Sequence, residues 1–124
     1  MEQTAAAELL AGISGRDFAR IEACFATAAV LRALTPHRLR EEHGPRAIAD
    51  QYRFWLEPLD GFELLAGDHE QIADRVRIRY RFRGRDPESG WQENEHTAYA
   101  TLTDGSIAAL NLSCAGFRPV GTPR

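Results

Sequence analysis

Apolar positions along the chain change their period once. Up to Gly61 they recur mostly at helical spacing, broken by one strand-like run, and after it they alternate. Ala6, Leu9, Leu10 and Ile13 repeat at intervals of three and four. They predict a helix over about 4–14, with Thr4 as N-cap and Gly15 as its stop. Asp17 caps a second predicted helix whose buried face is Phe18, Ile21 and Phe25. The stretch "AAVLRALT", 28–35, is branched and apolar, ends before Pro36, and predicts a short strand. "PHRLREEHG" reads as a polar connection with room for a turn of helix. Pro45 suits the first turn of a third helix, where its missing N–H is not needed. Ile48, Tyr52, Trp55, Leu56 and Leu59 form the stripe of that helix, and Pro58 and Gly61 end it.

Beyond Gly61 the alternation predicts four strands, over 62–71, 75–84, 91–103 and 106–116. Asp104-Gly105 is a two-residue hairpin signal. "RDPESG" is a looser turn, and "IAD", 72–74, joins the first pair. Helices first and an antiparallel meander after is the α+β pattern, with the helices packed on one face of the sheet. The run "RVRIRYRFRGR" then divides cleanly. Val76, Ile78, Tyr80 and Phe82 share one face, and Arg75, Arg77, Arg79, Arg81, Arg83 and Arg85 share the other. The apolar face must meet the helices. In the next strand the same parity sends Asn94, His96, Ala98, Ala100 and Leu102 inward. It sends Trp91, Glu93, Glu95, Thr97, Tyr99 and Thr101 outward. Glu93, Glu95 and, from the other neighbour, Glu63 are therefore expected to face the arginines.

Composition narrows the function classes. At 124 residues, 44% hydrophobic and 27% charged, the chain has the make-up of one globular domain over residues 1–124. The formal net charge of −3 argues against a protein built to bind phosphate backbone. Tyr80 and Phe82 point away from the arginines, so bases could not stack beside the charge. No nucleic-acid partner is expected. No membrane partner is expected either, because no apolar run approaches the roughly 20 residues a spanning helix needs. The N-terminus lacks the basic head and apolar block of a signal peptide, which predicts a cytoplasmic protein. Cys24 and Cys114 fit that setting as small apolar residues. There is no glycine-rich phosphate loop, nucleophile elbow, HExxH or CxxC. His37 and His43 have no clear third partner, and His69 belongs to no metal signature. Neither a cofactor nor a metal is expected.

Candidate chemistry lies on the inner face. His96 titrates near neutral pH and can move a proton in either direction. Tyr80 shares its face and can donate a phenolic hydrogen bond. These two are the catalytic candidates. Tyr52 and Trp55 offer an apolar wall from the third helix, Ala98 and Ala100 leave space beneath a ligand, and Asn94 sits beside them. Asn111 and Cys114 have opposite parities in the last strand, so a bulge decides which one faces in. Asn111 is carried as a ligand-binding candidate. Arg32, between Leu31 and Ala33, is expected to face out.

The order of elements, carried by "GRDFARIEACFATAAVLRALTP", "HGPRAIADQYRFWL" and "YATLTDGSIAALNLSCAGFRP", resembles the nuclear-transport-factor-2-like superfamily. Within that superfamily the chain looks most like the SnoaL-like, polyketide-cyclase-like branch. The resemblance implies a cone-shaped α+β fold with N-terminal helices on a curved, mainly antiparallel sheet. It implies an apolar pocket for a small organic ligand between sheet and helices. Together with Trp91, Tyr99 and Thr101 on the outward face, it implies a homodimer through the sheet. Members include ketosteroid isomerases, epoxide hydrolases, dehydratases and polyketide cyclases, so the fold alone assigns no reaction. The two carboxylates of the ketosteroid isomerases fall near Ala33 and Ala98 here, and the Asp–Arg–Asp set of limonene-type epoxide hydrolases is not evident. Two functions therefore remain open. One is acid–base chemistry of isomerase, cyclase or dehydratase type on a polyketide- or terpenoid-like compound. The other is a non-catalytic ligand-binding or dimerisation module.

Overall fold

The computed structural model describes residues 4–123. Helix α1 spans Thr4–Gly15 and buries Ala6, Leu9 and Ile13 of the expected stripe together with Ala5, while Leu10 is half-buried. Helix α2, Phe18–Glu22, is a single turn; the Asp17 carboxylate accepts from the Arg20 N–H at 3.1 Å. Phe25 does not extend this helix. It opens strand β1, Phe25–Leu34, where it remains buried and lies opposite Ile107. A helical stripe and the inner face of a strand both bury that ring, which is why the spacing did not separate them.

The stretch read as a polar connection is a strand. β2, Leu39–His43, forms an antiparallel hairpin with β1 through a tight turn in which both the backbone N–H and the hydroxyl of Thr35 donate to the Arg38 carbonyl. β2 is an edge strand with no buried residue, so it carries none of the apolar alternation that marks a strand in sequence. Helix α3, Pro45–Leu56, follows with Ile48, Ala49, Tyr52, Trp55 and Leu56 buried.

Four long strands complete the sheet: β3, Asp60–Ile72; β4, Arg75–Asp86; β5, Gly90–Thr103; and β6, Ser106–Cys114. A two-residue strand β7, Arg118–Pro119, pairs with β5 near Gln92 and was not expected. The order is β2-β1-β6-β5-β4-β3, curved and antiparallel throughout except where β1 runs parallel to β6. That one parallel pairing joins the N-terminal hairpin to the meander. α1 packs on β3 and β4, and α3 packs on β1 and β2. This is the α+β arrangement, with the core between one sheet face and the helices.

Strand parity holds along β4 and β5. Val76, Ile78, Tyr80 and Phe82 are buried on the helix side, as are Asn94, His96, Ala98 and Ala100. The one register shift between β5 and β6 falls at Thr101/Leu102, where β6 carries the extra residue Ala108, so it does not turn over His96 or Ala98. The arginines lie on the opposite face and are ion-paired along it. Arg79 meets Asp68, Arg81 meets Glu93, Arg83 meets Glu63 and Arg85 meets Asp60, while Arg77 pairs with Glu70. Most partners come from β3 across the strand pair, not from β5. Glu95, expected among them, forms no ion pair among the described residues.

Gly84 marks the tightest approach of sheet to helix end. A Cβ there would lie 2.6 Å from Leu59 Cβ, a buried atom with little room to retreat. Gly84→Ala should lower stability by about 1–3 kcal/mol through overpacking. Urea denaturation checks this, and an unchanged midpoint would contradict the packing described.

Candidate functional site

Tyr80 and His96 lie directly opposite each other on β4 and β5, both facing α3. α3 brings Tyr52 over the pair. The Tyr52 and Tyr80 hydroxyls are 2.8 Å apart, and the Tyr80 hydroxyl is 2.8 Å from His96 Nδ1. Three polar side chains thus form one chain of hydrogen bonds inside an apolar core. The far end of that chain is open: His96 Nε2 is buried and has no partner.

Counting protons fixes the direction of the chain. If Tyr52 donates to Tyr80 and Tyr80 donates to Nδ1, both hydroxyl protons are used. Nε2–H is then the single unpaired donor. Reversing the chain would leave the Tyr52 proton without an acceptor and the Nε2 lone pair without a donor. The first arrangement strands fewer groups, and each stranded buried group costs about 1–3 kcal/mol. His96 is therefore a neutral imidazole that presents N–H at Nε2.

Burial reinforces this state. It lowers the His96 pKa from 6.5 to about 3. Burial raises the Tyr52 phenol, and burial together with Tyr52 holds Tyr80 well above the usual range, so both tyrosines remain O–H donors. Besides these tyrosines, the buried polar side chains among the described residues are Gln51, Gln92, Asn94 and His96, and none is a carboxylate. Ala33 and Ala98 are both fully buried. No base stands ready beside His96, and the imidazole itself is held in one tautomer.

Trp55 closes the site on its solvent side. Its ring lies 5.0 Å from that of His96 and 5.3 Å from that of Tyr52, both edge-on. Phe82 packs edge-on to His96 from the same strand face as Tyr80, and Phe117 packs edge-on to Phe82. Asn94 holds the next position along, where its amide donates to Cys114 Sγ at 3.3 Å. Cys114 is half-buried and Asn111 is exposed. Leu110 and Leu112 take the inner face of β6, which turns Asn111 outward opposite Tyr99. Asn111 thus stands apart from the other candidates.

Two adjoining clefts open outside Trp55. One, of about 600 Å³, runs from the β1–β2 turn past Arg40, Phe54 and Trp55 to Cys114 and Phe117. The other, of about 320 Å³, lies between Phe54, Trp55, Leu59, Gln92 and Phe117. Trp55 lines both clefts, whereas His96, Tyr80, Ala98 and Ala100 line neither. Ala98 and Ala100, the expected cavity floor, are buried. Phe54, Phe117 and Arg40 were not singled out from the sequence. The two phenylalanines lie off the helical stripe and beyond the meander, and Arg40 lies in the strand that was read as a loop. Among the described residues no three His, Cys, Asp or Glu side chains gather to hold a metal.

No family model and no curated protein matches the sequence. Solved structures do match. A Catenulispora acidiphila protein with a ketosteroid isomerase-like fold, in complex with trimethylamine, superposes with TM-score 0.71 at 10% identity, over 88% of this chain and 83% of that one. A Mycobacterium tuberculosis LEH-like epoxide hydrolase gives 0.68 at 15% identity, over 91% and 81%. A proposed polyketide cyclase from Sinorhizobium meliloti gives 0.64 at 21% identity, over 85% and 89%. The chain has the NTF2-like fold. In this fold the sheet-to-helix interior is the region described above. Among the described residues no helix is long and apolar enough to cross a membrane.

The buried histidine sets a pH dependence. Unfolded, His96 takes up a proton below about pH 6.5; folded, it resists protonation to about 3. Between those values the unfolded state binds more protons. The contribution is thus fully present above pH 6.5 and is lost as the pH falls. From pH 6.5 to 5 the wild type should lose roughly 1–2 kcal/mol more unfolding free energy than His96→Gln. Denaturation curves at both pH values check this, and parallel losses in the two proteins would contradict it.

Proposed function

We propose that the protein is a SnoaL-like binder of a small, mainly apolar organic molecule bearing a carbonyl or similar oxygen. His96 Nε2–H would donate to that oxygen. The orphaned Nε2 at the end of the Tyr52–Tyr80–His96 chain carries this reading. A buried donor without a partner is costly, and a ligand oxygen would remove the cost. The adjoining clefts, with Trp55 between them and His96, supply an approach, and rotation of the Trp55 ring would join cleft to imidazole. The apolar lining and the few convergent polar groups are those of a small-molecule site. Similarity to a proposed polyketide cyclase and an epoxide hydrolase agrees with a ligand of this class.

Binding and polarisation are favoured over acid–base turnover. His96 is held neutral with Nδ1 occupied, and no buried carboxylate stands beside it as base. An isomerase-, cyclase- or dehydratase-type reaction on a polyketide- or terpenoid-like compound would have to use His96 and Tyr80 alone. Neutral Nε2–H is suited to stabilising charge that builds on a carbonyl oxygen, not to abstracting a proton. Asn94 and Tyr52 would position the site without touching the reacting atoms.

Acetophenone and α-methylstyrene share a heavy-atom skeleton, with a methylene group in place of the oxygen. Acetophenone should bind about tenfold more tightly to the wild type, the size of one hydrogen bond to a buried donor. That preference should vanish in His96→Leu. Equal affinity of the wild type for both molecules, by NMR titration, would count against this function.

Self-association through the outer sheet face belongs to the same proposal. Tyr99 is exposed at 42% on that face, between the half-buried Thr97 and Thr101. Light scattering at micromolar concentration should give a dimer mass that Tyr99→Glu reduces to a monomer. A monomer mass for the wild type would remove the dimer.

A further inference from the structure

Arginine is used in this chain under a consistent rule, and two residues break it. Among the described residues, eleven arginines are ion-paired with a carboxylate. Arg16 instead donates to the Leu56 and Leu59 carbonyls. Arg38 and Arg40 have neither kind of partner. Both line the same cleft of about 600 Å³, as does His37.

The fold aims Arg40 into that cleft. On β2 it lies opposite Ala33, whose side chain is fully buried on the helix side of the sheet. Its guanidinium carbon sits 5.3 Å above the Phe54 ring of α3. Its Nε is buried and has no hydrogen-bond partner. Nearby acids do not serve it. Glu41 is turned to the other face of β2 and is taken by Arg32 and His43. Glu42 shares the face of Arg40 but does not line the cleft. A guanidinium stacked on one side and unpaired along its edge is arranged to receive a planar anion in two parallel hydrogen bonds.

We propose that this cleft takes an organic carboxylate, its apolar body resting against Phe54, Trp55 and Phe117 and its carboxylate held by Arg40, with Arg38 adding positive charge at the rim. The cleft volume falls within the range of roughly 300–1,000 Å³ for small-molecule sites. This rests on the reading that the mouth of the cone binds a small organic molecule, and it names the class: a monoanion with a planar apolar body.

2-Naphthoate and 2-naphthamide test it by calorimetric titration. The amide keeps the ring and a carbonyl oxygen, so the pair differs in charge. Wild-type protein should bind naphthoate about tenfold more tightly than the amide, a preference that weakens with added salt. Arg40→Gln should abolish the preference and leave amide affinity unchanged, which also shows that the variant is folded. Arg46→Gln, on the exposed side of α3, should keep the preference. Equal binding of the two probes by the wild type, with amide binding lost in Trp55→Ala, would overturn the anion site and leave the small-molecule pocket standing. A preference that survives in Arg40→Gln would likewise overturn it. Binding of neither probe at millimolar concentration would overturn both readings.

Discussion

Three hydroxyl and imidazole groups buried in one apolar core are the constraint on which this structure turns. Tyr52, Tyr80 and His96 come from a helix and two strands, and each is satisfied only by the next. Remove Tyr80 and both Tyr52 and His96 are left as buried polar groups without partners. The chain therefore specifies how α3 sits on the sheet as well as which proton His96 carries. Aromatic packing of Trp55 and Phe82 around the imidazole keeps water out, and that exclusion holds the histidine neutral.

The two faces of β4 follow opposite rules. On the inner face polar groups are few and fully buried, so each one is costly and informative. On the outer face charges are many, paired and exposed, and each pair contributes little by itself, about 0–1 kcal/mol. The outer pairing still matters for interpretation. Because so many arginines are occupied, the two that are not become visible. Arg40 stands out against Arg79 or Arg83 only because their carboxylates are in place.

Strand parity and helical spacing made much of this legible in the sequence. Tyr80, Asn94, His96, Ala98 and Ala100 fall on the inner face because alternation fixes them, and Tyr52 and Trp55 fall on the α3 stripe. Parity cannot show whether space remains between those faces, and neither cleft reaches Ala98 or Ala100. Asn111 was legible in principle: Leu110 and Leu112 flank it, and their alternation sends it outward. β2 was not legible, since an edge strand with charges on both faces has no period to read. Phe117 depends on β7, which a long-range pairing with β5 creates and no local pattern announces.

The account depends most on the protonation of His96, and nitrogen-15 NMR of the imidazole reads it directly. At neutral pH the ring should be the neutral Nε2–H tautomer, with Nδ1 unprotonated and accepting from Tyr80. Tyr80→Phe should perturb Nδ1 far more than Nε2. A Nδ1–H tautomer or an imidazolium at pH 7 would reverse the hydrogen-bond chain and contradict the donor on which the proposed ligand site is built.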